Sequence, residues 1–308
     1  MHAGEYSKMY TILGASGNIG AVISRTLLAR GEKVRVVGRN TGKLQPFVQK
    51  GAEAFIGDIH DSEALARAFE GARAAFTMIP PGMNSPDYRA EQERAAESIA
   101  TAAKNAGLQY AVNLSRIGAH APSGTGPITG LHNAEKKLGA VEKLNVLHLR
   151  PAYFMENHLA GISMIHMMGM FGGAVKGDLR IPMIATRDIG AYAAERLLRL
   201  DFNGKTSSEL LGERDLTMNE VTAAMARIIG NADLRYMQFP YDQVQQVLMQ
   251  MGTPAKTAAY FIEMFQGIND GIVTNTEPRT EANTTPTSIE VFLKEVFLPA
   301  YQGQAVSA

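Results

Sequence analysis

Thr11-Ile12-Leu13-Gly14-Ala15-Ser16-Gly17-Asn18-Ile19-Gly20 places three glycines at three-residue intervals. Before the glycines, Met9 to Leu13 reads as a short buried strand. After them, Ala21 to Arg30 carries Val22, Ile23, Leu27 and Leu28 at helical spacing and stops at Gly31. A strand, a tight turn and a helix in that order form a cradle for a dinucleotide pyrophosphate. Gly14 makes the turn, Gly17 lets the backbone approach the phosphates, and Gly20 lets the helix pack closely. The helix N-terminus adds free N–H donors and the positive end of its dipole. Ser16, Asn18 and Ile19 share the loop and are candidate cofactor contacts with the glycines. A purely structural strand-turn-helix is the alternative, because the spacing alone is weak evidence.

The strand-helix rhythm continues outward. Lys33 to Gly38, Ala52 to Ile56, Ala74 to Ile79, Tyr110 to Leu114 and Val146 to Arg150 read as strands, and Ser62 to Phe69, Asp87 to Ala106 and Ala134 to Lys143 as helices. Strands joined through helices predict an α/β fold, a Rossmann-type doubly wound parallel sheet with ligands at the carboxyl ends of its strands. Gly14, Arg39, Asp58, Ile79-Pro80-Pro81, Ser115 and Pro151 fall at those ends.

Past Pro151 the rhythm changes, with a methionine-rich stretch from Met164 to Met170 and a Gly172-Gly173 break. A smaller C-terminal α/β lobe is expected, giving a dinucleotide-binding domain over 1–154 and a substrate lobe over 155–308, with about 183–204 returning to the first domain. Within the lobe Glu209 to Leu211 and Arg235 to Phe239 read as strands. Helices begin near Asp188, Asp242 and Pro254, Thr217-Met218-Asn219-Glu220 has the form of a capping box, and Thr287-Ser288-Ile289-Glu290 caps the last helix.

Thirty basic and thirty acidic side chains give a formal charge of zero, and no basic run stands out, which disfavours nucleic acid as a partner. With no cysteine there are no disulfides, thiol nucleophiles or thiolate metal sites, and no metal centre is expected. No long apolar segment points to a membrane, so a soluble cytoplasmic protein is the expectation.

Several stretches together resemble the NmrA-like family of atypical short-chain dehydrogenases/reductases. They are the glycine loop, Val37-Gly38-Arg39, Gly57-Asp58, Leu149-Arg150-Pro151-Ala152-Tyr153-Phe154-Met155-Glu156-Asn157 and Ala185-Thr186-Arg187-Asp188-Ile189. The late segment Leu210 to Val221 is similar to the quinone reductase branch, which stands beside triphenylmethane reductases and redox-sensing regulators. The resemblance implies NADP(H) as cofactor, and Arg39 agrees with it. An acid usually ends the second strand where NAD is preferred, whereas Arg39, with Lys43 one turn later, suits a 2′-phosphate. A solvated basic pair is the alternative for Arg39 and Lys43.

By the same resemblance Asp58 and Ile59 flank adenine, with a helix N-cap as the competing role for Asp58. Ile79 and Pro80 run along the nicotinamide, although Pro-Pro-Gly also marks ordinary turns. The Tyr-x-x-x-Lys pair of typical relatives is absent: Ile128 stands at the tyrosine position and His132 at the lysine position. His132 is therefore a candidate to hold ribose or relay a proton, or else a partly buried helix-start histidine. Tyr153, Phe154 and Asn157 lie where the family's substrate cleft opens, and Tyr153 and Phe154 are also candidate cofactor contacts. Met164 and Met167 are candidates for an adaptable apolar pocket, with core packing or a homodimer contact as alternatives. The implied activity is hydride transfer from NADPH to a quinone-like or other planar conjugated acceptor. A non-catalytic NADP(H)-binding redox sensor is the rival.

Overall fold

The computed structural model describes residues 9–304. Strand β1 (Met9–Leu13) leads through the glycine loop into α1 (Asn18–Ala29), followed by β2 (Lys33–Gly38), α2 (Thr41–Val48), β3 (Glu53–Ile56), α3 (Ser62–Phe69), β4 (Ala72–Thr77), α4 (Tyr88–Asn105), β5 (Tyr110–Leu114), α5 (Ile128–Gly139) and β6 (Asn145–Pro151). Later come β7 (Tyr153–Phe154), α6 (Ile162–Met168), β8 (Phe171–Gly173), β9 (Ile181–Ile184), α7 (Thr186–Arg199) and β10 (Lys205–Leu210). The main sheet has seven strands in the order β10-β6-β5-β4-β1-β2-β3, every pair parallel. This is the Rossmann-like α/β fold.

Alternation along each strand divides the core into two layers. Ile12, Val34, Val36, Phe76, Val112 and Leu147 face one side, where they meet Ile23 and Leu27 of α1 and Ala193, Ala194 and Leu197 of α7. Leu13, Val37, Ala75, Ala111 and Val146 face the other, against Leu65 and Phe69 of α3, Ile99 and Ala103 of α4 and Leu138 of α5.

Three boundaries differ from the sequence expectation. The strand read over Glu209 to Leu211 as part of the small lobe is the end of β10, which pairs with β6 in the main sheet. Its first four residues, Lys205-Thr206-Ser207-Ser208, lie at a sheet edge where polar side chains are tolerated, so no apolar run marks them. Helix α5 begins at Ile128 rather than Ala134 and stops at Gly139 short of Lys143. Helix α2 was hidden by Gly42 and Pro46, and it starts where the Asn40 side chain accepts from Lys43 N at 3.2 Å.

Beyond β10 the chain forms β11 (Asp215–Leu216), α8 (Met218–Ile229), β12 (Tyr236–Gln238), α9 (Tyr241–Gln250) and α10 (Ala255–Asn269). It ends with α11 (Ile289–Phe292), a π-helical stretch (Leu293–Phe297) and α12 (Leu298–Tyr301). Thr217 and Glu220 form the capping box of α8, and Ser288 caps α11 by accepting from Val291 N.

Buried carboxylates tie these pieces together. Arg150 donates to Glu135 through Nε at 2.9 Å and Nη2 at 2.5 Å, and Ser115 Oγ donates to the same carboxylate at 2.5 Å, which joins β6, α5 and the end of β5. Glu156 accepts from Thr186 N at 2.9 Å and Thr186 Oγ1 at 2.5 Å, capping α7 from a distance. Asp188 accepts from Thr287 N at 3.0 Å and Thr287 Oγ1 at 2.7 Å, which fixes the approach to α11. Glu209 accepts from Thr276 and Glu277 backbone amides and holds that loop on β10.

Gly20 has no room for a side chain, because a Cβ there would lie 2.3 Å from Gly14 O. Helix propensity favours alanine over glycine by about 1 kcal/mol, and forced overpacking costs about 1–3 kcal/mol. Gly20→Ala is therefore expected to be net destabilising, and an unchanged or raised urea midpoint would show that α1 does not press on the loop.

His148 and His158 are both pushed down to about 4 by burial. Each stays neutral in the fold while its unfolded counterpart takes up a proton near pH 6.5, so its contribution is complete above that pH and declines as pH falls towards 4. The ring of His158 lies between Tyr153 and Phe171, and neither of its nitrogens has a partner. His158→Phe is expected to remove about 2 kcal/mol of the stability lost between pH 7.5 and pH 5. Denaturant melts with equal pH slopes in the two proteins would contradict this.

Candidate active site

The sheet order reverses between β1 and β4, and a cleft of about 410 Å³ opens there at the carboxyl ends of β1, β2 and β4. Gly14, Ser16, Gly17, Arg39, Ile59, Ile79 and Pro80 all line it. Gly14 takes a φ of +65°, in the left-handed region that favours glycine. Gly17 is different. Its backbone is extended, at φ −88° and ψ 167°, and a Cβ would meet only Gly14 O at an ordinary 3.4 Å. The fold itself tolerates a side chain at Gly17, and that side chain would project into the cradle. Asn18, Ile19 and Gly20 open α1, and a helix leaves the N–H groups of its first turn without intrahelical partners. Ile19 and Gly20 are buried behind the cleft surface.

At the mouth, Arg39 is exposed at the end of β2 and makes no ion pair or side-chain hydrogen bond among the described residues. Lys43 lies off the lining, exposed on the first turn of α2. Asp58 also lies off it. Its Oδ1 accepts from His60 N at 2.9 Å, and the N-cap of α3 is Asp61, so the capping role weighed for Asp58 belongs to its neighbour. Ile59 and His60 line the wall, and His60 Nε2 lies 2.9 Å from Glu91 Oε2.

The wall opposite the glycine loop comes from α4, which supplies Tyr88, Glu91, Gln92 and Ala95. The sequence reading passed over these residues. Their signal lay in the Asp87 cap that follows β4 and the Pro80-Pro81-Gly82 turn, because a helix starting beyond a strand's carboxyl end brings its first residues to the cleft. Gln92 Nε2 donates to Pro127 O at 2.9 Å, and Gln92 Oε1 is buried without a partner. Helix α10 presses on this wall from the C-terminal lobe. Thr257 Oγ1 donates to Ser85 O at 3.0 Å, Phe261 meets Tyr88 edge-on at 6.0 Å, and Arg89 lies 4.5 Å over the ring of Tyr260.

His132 does not reach this cleft. Its Nδ1 is 2.8 Å from Ala119 O, and it lines a separate cavity with Glu135, His148, Arg150 and Lys205 along the β6–β10 edge. Counting along the chain assigned it the lysine position, but α5 turns this residue to its other flank.

A second cavity, of about 200 Å³, holds Tyr153 together with Arg116, Ile117 and residues of the C-terminal lobe. Burial raises the Tyr153 phenol, partly offset by the Arg116 charge and by Asn157. Tyr88, on the cofactor side, is likewise raised by burial and lowered by Arg116. Phe154 packs half-buried against the main core, and Asn157 is exposed on the turn after it. Met164 is half-buried on α6 and Met167 is 77% exposed, so neither lines either cavity.

Among the described residues no group of histidine and carboxylate side chains is placed to hold a metal, and no helix is long and apolar enough to cross a membrane.

The chain is 25% identical over 257 residues to an NAD(P)H azoreductase of Xenophilus azovorans, covering 83% of this chain and 86% of that protein. It is 27% identical over 252 residues to the (4-alkanoyl-5-oxo-2,5-dihydrofuran-3-yl)methyl phosphate reductase of Streptomyces griseus, covering 82% and 84% respectively. Among solved structures, an NADPH-dependent quinone oxidoreductase of Escherichia coli complexed with NADPH superposes with a TM-score of 0.80 at 22% identity, covering 94% of this chain and all of that one. The NmrA-like family profile matches residues 6–293. The chain belongs to the NmrA-like family.

Proposed function

We propose that this protein is an NADPH-dependent reductase that delivers hydride to a planar conjugated acceptor, a quinone or a similarly delocalised compound. The observation that carries this reading is the Gly17 cradle, whose open space the fold does not itself require, with the unpaired Arg39 fork at its mouth. The first-turn amides of α1 would hold a pyrophosphate, and the Arg39 guanidinium would suit a 2′-phosphate. Ile59 supplies an apolar wall for the adenine, and Ile79, Pro80 and Tyr88 line the rest of the cleft and limit water.

The relatives support the acceptor class, since their names specify azo, dihydrofuran and quinone chemistry. The bound cofactor supplies the hydride. An acceptor taking that hydride would draw its balancing proton from solvent, and its own conjugation would spread the charge. Placement and dryness are then the chain's main contributions. His132 lines another cavity, and the scheme asks no proton relay of it.

NADPH is expected to bind more tightly than NADH, and Arg39→Ala to erase most of the difference. Loss of a charge-assisted contact is worth about 1.5–3 kcal/mol, or roughly ten- to a hundredfold in affinity. Equal affinities in the unmodified protein would sink the assignment of Arg39.

Gly17→Val is expected to stay folded, with a melting transition near that of the parent, while losing both cofactors. Retained binding would mean the loop does not cradle phosphate. Steady NADPH oxidation against a panel of quinones and azo dyes tests the reaction. Cofactor binding without turnover of any acceptor would replace the reductase by a cofactor-sensing protein.

A further inference from the structure

Arg116 follows β5 directly and stands between the two cavities, its charge acting on Tyr88 of the cofactor cleft and on Tyr153 of the second cavity. Among the described residues its Nη1 donates to the thioether of Met264, at 3.4 Å, and its Nε is buried with no partner. No carboxylate faces it among the described residues, and burial pulls its pKa below the ordinary arginine range, with the two phenols acting against that.

The other charges of the second cavity are answered. Arg180 donates to Glu220 at 2.7 Å and to Asp215 O at 3.1 Å, and Asp215 is held by Arg279. Arg116 therefore leaves the cavity with one uncompensated positive charge, set among Ile117, Ile181 and Val273. A half-buried guanidinium without a counter-ion is costly to hold in the fold, and an oxyanion in bidentate contact offsets most of that cost.

The geometry points to Arg116 as the receptor for the carboxylate of a small, flat, apolar-bodied acid bound in the second cavity. One cation matches a monoanion, and the planar fork matches a carboxylate's two oxygens. The apolar walls and the Tyr153 ring suit an aromatic or enoate body. The assignment rests on the proposed reductase in one respect only, that the bound acid is the hydride acceptor. The site itself is testable without turnover.

The experiment is a calorimetric titration of the protein with benzoate and with uncharged benzamide in saturating NADP, which keeps benzoate out of the pyrophosphate cradle. Benzoate is expected to bind at least tenfold more tightly than benzamide. The preference should vanish in Arg116→Gln and Arg116→Met and survive in part in Arg116→Lys. Equal affinities in the unmodified protein, no benzoate binding, or an undiminished preference in a folded Arg116→Gln would each overturn the assignment. The comparison of the two probes in the unmodified protein decides the matter even if no variant folds. Absence of a benzoate preference in the unmodified protein alongside intact quinone reduction removes the carboxylate site and leaves the reductase standing. A strong preference without NADPH oxidation supports the site in a protein that does not reduce.

Discussion

The position of α1 is the constraint on which the rest of the molecule depends. On one side Gly20 lets the helix approach the Gly14 carbonyl, and on the other Gly190 of α7 sits where a Cβ would come within 2.7 Å of Val22 and 3.0 Å of Ile19 O. Two missing side chains thus clamp α1 between the loop and α7. The first contact sets the depth of the cradle, and the second seats α7. Through Glu156 and Asp188, α7 then holds the turn after β7 and the chain before α11. A shift in α1 would reach the cofactor cleft and the C-terminal lobe together.

The charged members of the Arg-Pro-x-x-Phe-x-Glu-Asn stretch have architectural roles. Arg150 is occupied by Glu135 and Glu156 by Thr186, both largely away from solvent. Removing either carboxylate strands a largely buried partner, a costlier change than losing a surface pair. The specificity of this stretch as a family mark follows from how many elements it joins: β6, α5, β5 and the start of α7.

Much of the fold was legible because its signals are local. The glycine loop lies between a buried strand and an amphipathic helix, and Gly14, Ser16 and Gly17 are adjacent in sequence, so they could be placed together, with Arg39 located by its place at the end of β2. The features that were not legible share a cause. The orientation of His132 depends on the rotation of α5, and the exposure of Met167 on which face α6 turns outward, and neither is written in residue type. The β10 strand lacked an apolar run because it closes an edge. Arg116 was invisible as a site, since an arginine without a counter-ion is recognised only when every neighbour is known.

The wall of the cofactor cleft is braced by α10, and that brace has a consequence for biosynthesis. Thr257 and Ser85 are separated by 172 residues, and Arg116 and Met264 by 148. A ribosome releases the first six strands of the sheet well before it releases α10 or the edge strand β10. The emerging chain then carries its glycine loop on a sheet with an open edge and a cleft missing one support. Contacts of such sequence separation slow folding and leave apolar and edge surface uncovered meanwhile. Completion of the cleft is consequently a late event in the life of the nascent chain, although the residues that read most clearly as its floor are made well before α10.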